Sequence, residues 1–353
     1  MFGLKQNKSL VGLDIGSSSI KAVELRRSRG ELELVHAGIE PLGSDMVVDS
    51  MIVDTGSVSN SIAKLFDESS ISSKAVATSV SGHSVIVKKI PMPAMPDDEL
   101  DETLHTEAAQ HVPFDINDVH LDYQVLTDNP AATQLDVLLV AVKKEKILNY
   151  TNVLSLAGKA PAVVDVDAFA LQNCYEYNYQ PSEATTVALL NVGASVMNIN
   201  VVKGAITLFT RDVPVGGNQY TDALQKELDL SFQDAEAFKL GKPLGTVSED
   251  AKGPVLQQVT EIICLEIQKT FDFFRATAAG EHIERIYMAG GSVVIPGLME
   301  ALRTEFSIPV EVLNPFHRIQ QNSEISSSPS LASNTSQLAV AVGLALRSFD
   351  GVL

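Results

Sequence analysis

The sequence predicts an α/β fold built as two related lobes. Three observations carry that expectation. A strand–turn–strand motif lies near the N-terminus, an echo of it follows half a chain later, and a glycine turn near residue 290 runs from a strand into a helix. The 353 residues suit about two domains of roughly 150 residues each. With 45% hydrophobic and 20% charged residues the composition is globular, and the absence of tryptophan points to an aliphatic core.

The elements follow in order. Residues 10–25 form an apolar run that ends in Asp14-x-Gly16, passes through Ser17, Ser18 and Ser19, and resumes as an alternating strand. A strand starts at Ser84 and ends at Pro91. Residues 97–111 place Leu100, Leu104 and Ala108 on one face of an acidic helix, with Asp97 and Asp98 at its positive N-terminal end and Pro113 as its stop. Residues 119–126 and 135–143 alternate like strands, and 145–157 read as a helix. Residues 189–202 repeat the first motif: Asn191-x-Gly193 falls 177 positions after Asp14-x-Gly16. A long helix over 255–278 turns Val259, Ile262, Ile263, Ile267, Phe271 and Phe274 inward. A short strand then enters Gly290-Gly291-Ser292, and Pro296 and Gly297 precede another helix. The serine-rich stretch 322–336 reads as a loop. The last helix, 337–347, is small and apolar, which suits close packing.

Charge and cysteines narrow the function. Twenty-six basic against 44 acidic residues give a net charge of −18. That excludes the basic footprint of a nucleic-acid binder and disfavours docking on anionic lipid. Cys174 and Cys264 have no ligand spacing and read as buried thiols of a reducing compartment. Without a signal peptide or an 18-residue apolar run, the expected location is cytoplasmic, with membrane association only through partners.

No Walker A and no G-x-G-x-x-G pattern is present, so the P-loop and Rossmann readings lack their defining residues. The Asp-x-Gly-Ser-Ser-Ser turn offers something else. Its backbone N–H and hydroxyl groups can nest phosphate oxygens, and Asp14 can hold Mg²⁺ through water, because that ion keeps much of its hydration shell. Taken singly the turn is also an ordinary hairpin; the echo at 191 and the turn at 290 favour phosphate. The seven histidines show no metal spacing, and no Ser-His-Asp arrangement stands out.

The order Asp14-x-Gly16, then Gly193, then Ala289-Gly290-Gly291-Ser292 resembles the actin, Hsp70 and sugar-kinase superfamily. There two turns clamp phosphates and the third packs on adenosine. Residues 107–124, residues 213–222 followed by Ala235-Glu236-Ala237-Phe238-Lys239, and the opening Phe2-Gly3-Leu4-Lys5 narrow the resemblance to the PilM family of type IV pilus assembly proteins, actin-like relatives of FtsA. The resemblance implies a two-lobed actin-like ATPase fold of duplicated RNase H-like domains. The first lobe would use residues 1–84, 161–184 and 333–353. An FtsA-type 1C subdomain would be inserted at 85–160, and the second lobe would be 185–332 with a helical part near 217–280.

The resemblance also implies site residues, with ATP and Mg as cofactors. Asp14 would be the metal-associated carboxylate, through water. Gly16, Ser17, Ser18 and Ser19 would form the first phosphate loop with Lys21 in reach of phosphate. Asn191, Gly193 and Ala194 would form the second turn, with Gly216 and Gly217 nearby. Glu236 and Lys239, at i and i+3, would contact ribose and adenine, and Gly290, Gly291 and Ser292 would form the adenosine turn. The family's second turn usually opens with Asp; Asn191 removes that charge, so slow or absent hydrolysis is expected. Asp165 and Asp167 precede a helix where such enzymes carry a water-orienting group, and Asp167 is the better catalytic candidate; a helix-capping Asp is the other reading. The implied partner is the cytoplasmic N-terminal peptide of the inner-membrane protein PilN, docked between the first lobe and the insert, with Val112, Pro113 and Phe114 as candidate groove residues. Other pilus alignment and motor components remain open as partners. The alternatives are an FtsA-like division protein, which would want a basic amphipathic C-terminal helix where this chain reads Arg-Ser-Phe-Asp-Gly-Val-Leu, and a small-molecule kinase, for which no catalytic base stands out.

Overall fold

The structure, a computed structural model, describes residues 10–126, 133–245, 247–278, 280–321, 331 and 333–349. The opening residues 2–5 and most of the serine-rich stretch 322–336 lie outside the described residues.

The first motif folds as a hairpin of β1 (Val11–Ile15) and β2 (Ser19–Ser28), continued antiparallel by β3 (Glu31–Pro41). On its other edge β1 pairs in parallel with β6 (Ala75–Val80), which pairs with β10 (Ala160–Val166). Between β3 and β6 lie the short hairpin β4 (Val47–Val48) and β5 (Met51–Ile52) and helix α1 (Thr55–Glu68). The Asp54 side chain caps α1 by accepting from the Ser57 N–H at 2.9 Å. Val58, Ile62, Leu65 and Phe66 then recur at helical spacing and bury against the sheet.

The echo builds the same sheet again. Strands β11 (Thr186–Val192), β12 (Met197–Lys203) and β13 (Ile206–Val213) run antiparallel, and β11 pairs in parallel with β14 (Arg285–Ala289), which pairs with β15 (Val310–Val312). Both sheets thus read third, second, first, fourth, fifth; β16 (Gln320–Gln321) extends the first at its β3 edge. A strand flanked on both sides is apolar where it crosses the core: Val11, Leu13, Ala188, Leu189 and Leu190 are fully buried, and the polar Asp14 and Asn191 come only at the ends of β1 and β11 that reach the turns.

A third sheet, β7 (Val85–Pro93), β9 (Gln134–Lys143) and β8 (Val119–Val125), leaves the first lobe with β9 in the centre. Helix α2 (Asp97–His111) covers it with Leu100, Leu104 and Ala108, the face and bounds the sequence predicts. Helix α3 (Lys144–Leu156) follows β9, but its Tyr150, Val153 and Leu154 pack into the first-lobe core beside α1.

The second lobe carries α5 (Gly217–Leu228), α6 (Phe232–Lys239), α7 (Glu249–Thr277) and α8 (Leu298–Phe306). Along α7, Val259, Ile263, Ile267, Phe271 and Phe274 face the core as expected. Ile262 does not: it is 47% exposed, because a residue adjacent to Ile263 lies about 100° round the helix from the buried stripe.

Two helices join the lobes. One is α4 (Asp167–Tyr179) and the other α9 (Ala339–Leu346), whose eight residues are all buried. One core cluster contains Val23, Leu25 and Leu34 of the first sheet, Val187 and Leu189 of the second, and residues of both helices. The approach is so close that a Cβ on Gly343 would overlap the carbonyl of Ala170, and one on Gly12 would overlap the carbonyl of Ala341. These are backbone atoms and cannot swing aside. Gly343→Ala and Gly12→Ala are each expected to cost about 2–3 kcal/mol or more in urea denaturation. Gly253→Ala, in α7 with no neighbour within reach of its Cβ, is expected to stabilise by up to about 1 kcal/mol.

Candidate functional site

Three turns close on one cleft between the lobes. In the first, Gly16 donates its N–H to the carbonyl of Ser19 at 3.1 Å, and Leu42 donates to Ser18 at 2.8 Å. Asp14 and Lys21 stand opposite each other on β1 and β2, and their charged groups lie 3.2 Å apart. In the second turn Gly193 donates to Val196 at 3.0 Å. Gly217 and Asn218, at the start of α5, donate to the carbonyls of Gly193 and Ala194 at 2.9 and 2.8 Å. Only glycine fits at 216, where a Cβ would stand 2.6 Å from both those oxygens. The third turn needs Gly290 at φ +93°, with its N–H bonded to the Ser336 carbonyl at 3.0 Å. The Ser292 hydroxyl donates to the Gly193 carbonyl at 3.1 Å, tying the third turn to the second. The hydroxyls of Ser17 and Ser195 are hydrogen-bonded to each other, tying the first turn to the second across the lobes.

The cleft has a volume of about 340 Å³. Asp14, Gly16, Ser17, Ser18, Lys21, Asn191, Gly193, Ala194, Gly217, Glu236, Lys239, Gly290, Gly291, Ser292 and Asp167 all line it. Two expected residues do not. Ser19 is buried as the first residue of β2 and contributes only its carbonyl, and Gly216 supports the second turn from behind. On α6, Lys239 is buried; it donates to Thr221 at 2.9 Å and to the Gly217 carbonyl at 3.2 Å, and it pairs with Glu236.

Sequence reasoning missed several lining residues. Ser195 stands four places after Asn191, as Ser18 does after Asp14, so the echo itself contains the signal. Phe232 and Leu240 flank Glu236 at i−4 and i+4, an apolar wall on the face that carries the charged pair. Asn334 comes from the stretch read as a loop and Gln337 from the first position of the expected last helix; Gln337 donates to Asn334 at 2.7 Å.

Of the two acids before α4, Asp165 is taken: it pairs with Arg347 at 2.7 Å and accepts from the Val166 N–H at 2.8 Å. Asp167 is the first residue of α4 and faces the cleft, and the residue before it makes no side-chain cap bond. Enclosure, then the nearby Asp14 carboxylate, push its pKa up to about 6. Behind it, burial pushes the Lys146 ammonium down to about 8 against the opposing pull of Asp167 and Asp212; Lys146 donates to the Ser50 carbonyl. Among the described residues no group of three His, Cys, Asp or Glu side chains gathers into a metal cage. Asp14 and Asp167 with the Asn191 amide do fit a hydrated Mg²⁺ whose direct ligands are phosphate and water.

The expected partner corner is divided. Val112 is a core residue, 6% exposed, packed with Leu100 and Leu104, so it cannot line a groove. Pro113 is exposed. Phe114 is half-buried with the Lys143 ammonium 4.8 Å from its ring centre, beside a cavity of about 360 Å³ lined by Asp115, Asp118 and Lys144. The start of β7 lies on the other side of β9. There Val85, Ile86 and Val87 border a separate cavity of about 390 Å³ with Gly82, His83 and Val166, closed by Arg211, Asp212 and Pro214 of the second lobe.

Two sheets of one order closing three glycine turns on a cleft define an actin-like ATPase fold. Residues 12–349 match the model of the family described as type IV pilus assembly protein PilM, and the chain belongs to that family. It is similar to a solved PilM–PilN type IV pilus biogenesis complex at 26% identity and a TM-score of 0.86, covering 96% of this chain and 98% of that one. It shares its fold with the ethanolamine utilization protein EutJ of Carboxydothermus hydrogenoformans (15% identity, TM-score 0.59, 96% and 89% covered). The same holds for MreB5 of Spiroplasma citri bound to ADP (12% identity, TM-score 0.53, 95% and 94% covered). A curated relative, EutJ of Escherichia coli strain K12, is 25% identical over 118 residues, which is 33% of this chain and 38% of that protein.

The raised pKa of Asp167 has a signed consequence. The folded state holds this proton more tightly than the unfolded chain, so its contribution to stability falls as pH rises from about 4 through about 6. Asp167→Asn is therefore expected to stabilise the ligand-free protein at pH 7–8 by on the order of 1–2 kcal/mol and to leave it little changed near pH 4, as read by denaturation at each pH.

Proposed function

We propose that the chain is an ATP-loaded scaffold of type IV pilus assembly that binds the cytoplasmic N-terminal peptide of PilN. The observation that carries this reading is the bonding of all three glycine turns to one another around a single cleft. Triphosphate oxygens would lie against the N–H groups of the first two turns, with Lys21 in reach. The base would rest between the Gly290–Gly291 turn and the wall of Phe232, Leu240 and Lys239. Mg²⁺ would neutralise the phosphates and face Asp14 through water. With an amide at 191, hydrolysis is slow or absent, and Asp167 is the residue placed to orient a water if it occurs.

The likeness to the PilM–PilN complex supports the partner. β7 is an edge strand of the insert's sheet, so an extended peptide can add to it through backbone bonds while its side chains enter the cavity by Gly82 and Val85–Val87. Among the described residues no helix is long and apolar enough to cross a membrane. We place the protein in the cytoplasm, at the inner membrane through its partner.

Calorimetric titration with Mg-ATP is expected to give one site, weakened about tenfold or more in Asp14→Ala; no heat and no thermal shift at millimolar nucleotide would sink the nucleotide reading. Val87→Asp is expected to abolish binding of a PilN N-terminal peptide and to leave ATP binding intact. Loss in Phe114→Asp instead would move the peptide to the far side of β9, and normal binding by both folded variants would remove it from the insert's base.

A further inference from the structure

The second phosphate turn opens on an amide, and a carboxylate stands two hydrogen bonds behind it. Asn191, Asn198 and Asp212 are directly opposite one another on β11, β12 and β13, in register across three antiparallel strands. Asn191 Nδ2 donates to Asn198 Oδ1 at 2.9 Å, and Asn198 Nδ2 donates to Asp212 Oδ1 at 2.8 Å. The other oxygen of Asp212 accepts the Gly82 N–H of the first lobe at 2.5 Å. Asn198 is buried at 2% exposure, so its two ends must each be matched within the row.

The direction of this row follows from Asp212: burial raises its pKa against the bonds from Asn198 and the Gly82 N–H, and as a carboxylate it only accepts. Asp212 therefore takes the amino end of Asn198. Asn198 then has only its oxygen for Asn191. Asn191 must turn its own amino group inward and keep its Oδ1 on the far side, beside Gly290 at the cleft, 2.8 Å from where a Cβ on that glycine would stand. We propose that Asp212 is a positioning residue. Through Asn198 it fixes the Asn191 amide so that a neutral carbonyl oxygen, not an amino group, faces the phosphates and their cation. The proposal rests on the nucleotide reading of the cleft.

A double-mutant cycle tests it. Asn191→Asp alone sets a new carboxylate against the Asn198 oxygen. Turning the Asn198 amide only moves the conflict to Asp212, so melting is expected to fall by several degrees. Asp212→Asn alone lets the whole row reverse. Melting then changes little, but an amino group faces the cleft, and the strengthening of nucleotide binding by Mg²⁺ over EDTA is expected to shrink several-fold. The double variant carries the same charge as the wild type with its carboxylate at the turn. It is expected to melt within about two degrees of wild type and to show a Mg²⁺ effect at least tenfold larger. Melting is measured without nucleotide, and Mg²⁺ dependence by titration with ADP.

Additive melting losses in the double variant, or an unchanged Mg²⁺ effect in folded Asp212→Asn, would overturn the proposal. If Asn191→Asp alone does not fold, recovery in the double variant supports the row, and continued misfolding beside a folded Asp212→Asn refutes it. A wild type that binds no nucleotide would remove the reading of the cleft, while the melting cycle would still decide whether the row is directional.

Discussion

The cleft depends on the near-contact of α4, α9 and β1. Gly343 lies against Ala170 and Gly12 against Ala341, backbone on backbone, at distances that exclude any side chain. An entirely buried helix has no polar face to orient it, so its position is set by shape alone. Shape here fixes both sheets at once, since the cluster around α4 and α9 takes side chains from β2 and β3 and from β11 and β14. The first two turns begin where β1 and β11 end. Their separation, and hence the Ser17–Ser195 contact, is inherited from helices of which only the first residue of α4, Asp167, reaches the cleft.

The duplication preserves geometry and changes chemistry. Asp14 faces Lys21 across one hairpin, and Asn191 faces Asn198 across the other, at the same offset of 177 residues. In the first lobe the pair is an acid and a base, which leaves the local charge near zero and a cation at the edge of the cleft. In the second both partners are amides, and the charge sits one strand further out, at Asp212. Under the nucleotide reading, a second turn without its own carboxylate would favour holding a triphosphate over cleaving it.

How much of this was legible in the sequence depends on the range of the constraint involved. Helix α2 is legible to the residue because its pattern, acidic start and proline stop are local. The two hairpins are legible because each is a strand, a turn and a strand without a gap. Ser195 is legible from the echo alone. Val112 continues the spacing of Leu100, Leu104 and Ala108 by four more residues, so its burial is legible in the same stripe, and reading it as part of a corner with Pro113 overlooks that spacing. Asp212 belongs to no motif. Its alignment with Asn198 passes through a register shift between Val201 and Val202, so counting residues from Asn198 cannot place it opposite.

The same register explains how the insert is held. It leaves the first lobe beside Gly82, at φ +86°, and returns where the Lys143 N–H bonds the Ser84 carbonyl at 3.1 Å, so two strands at one end attach it. Its β7 edge approaches β13, and Gly82 is bonded to Asp212 on that strand. The charge strengthens this bond, but burial of the carboxylate offsets it, so its net contribution is small. The shared core around α4 and α9 is far larger. Two smaller contacts cross between the lobes: Ser17–Ser195 ties the first two turns, and Asp212–Gly82 ties the second-lobe sheet to the root of the insert. Both belong to the antiparallel half of the second-lobe sheet, so one hairpin framework braces the turn and the root together.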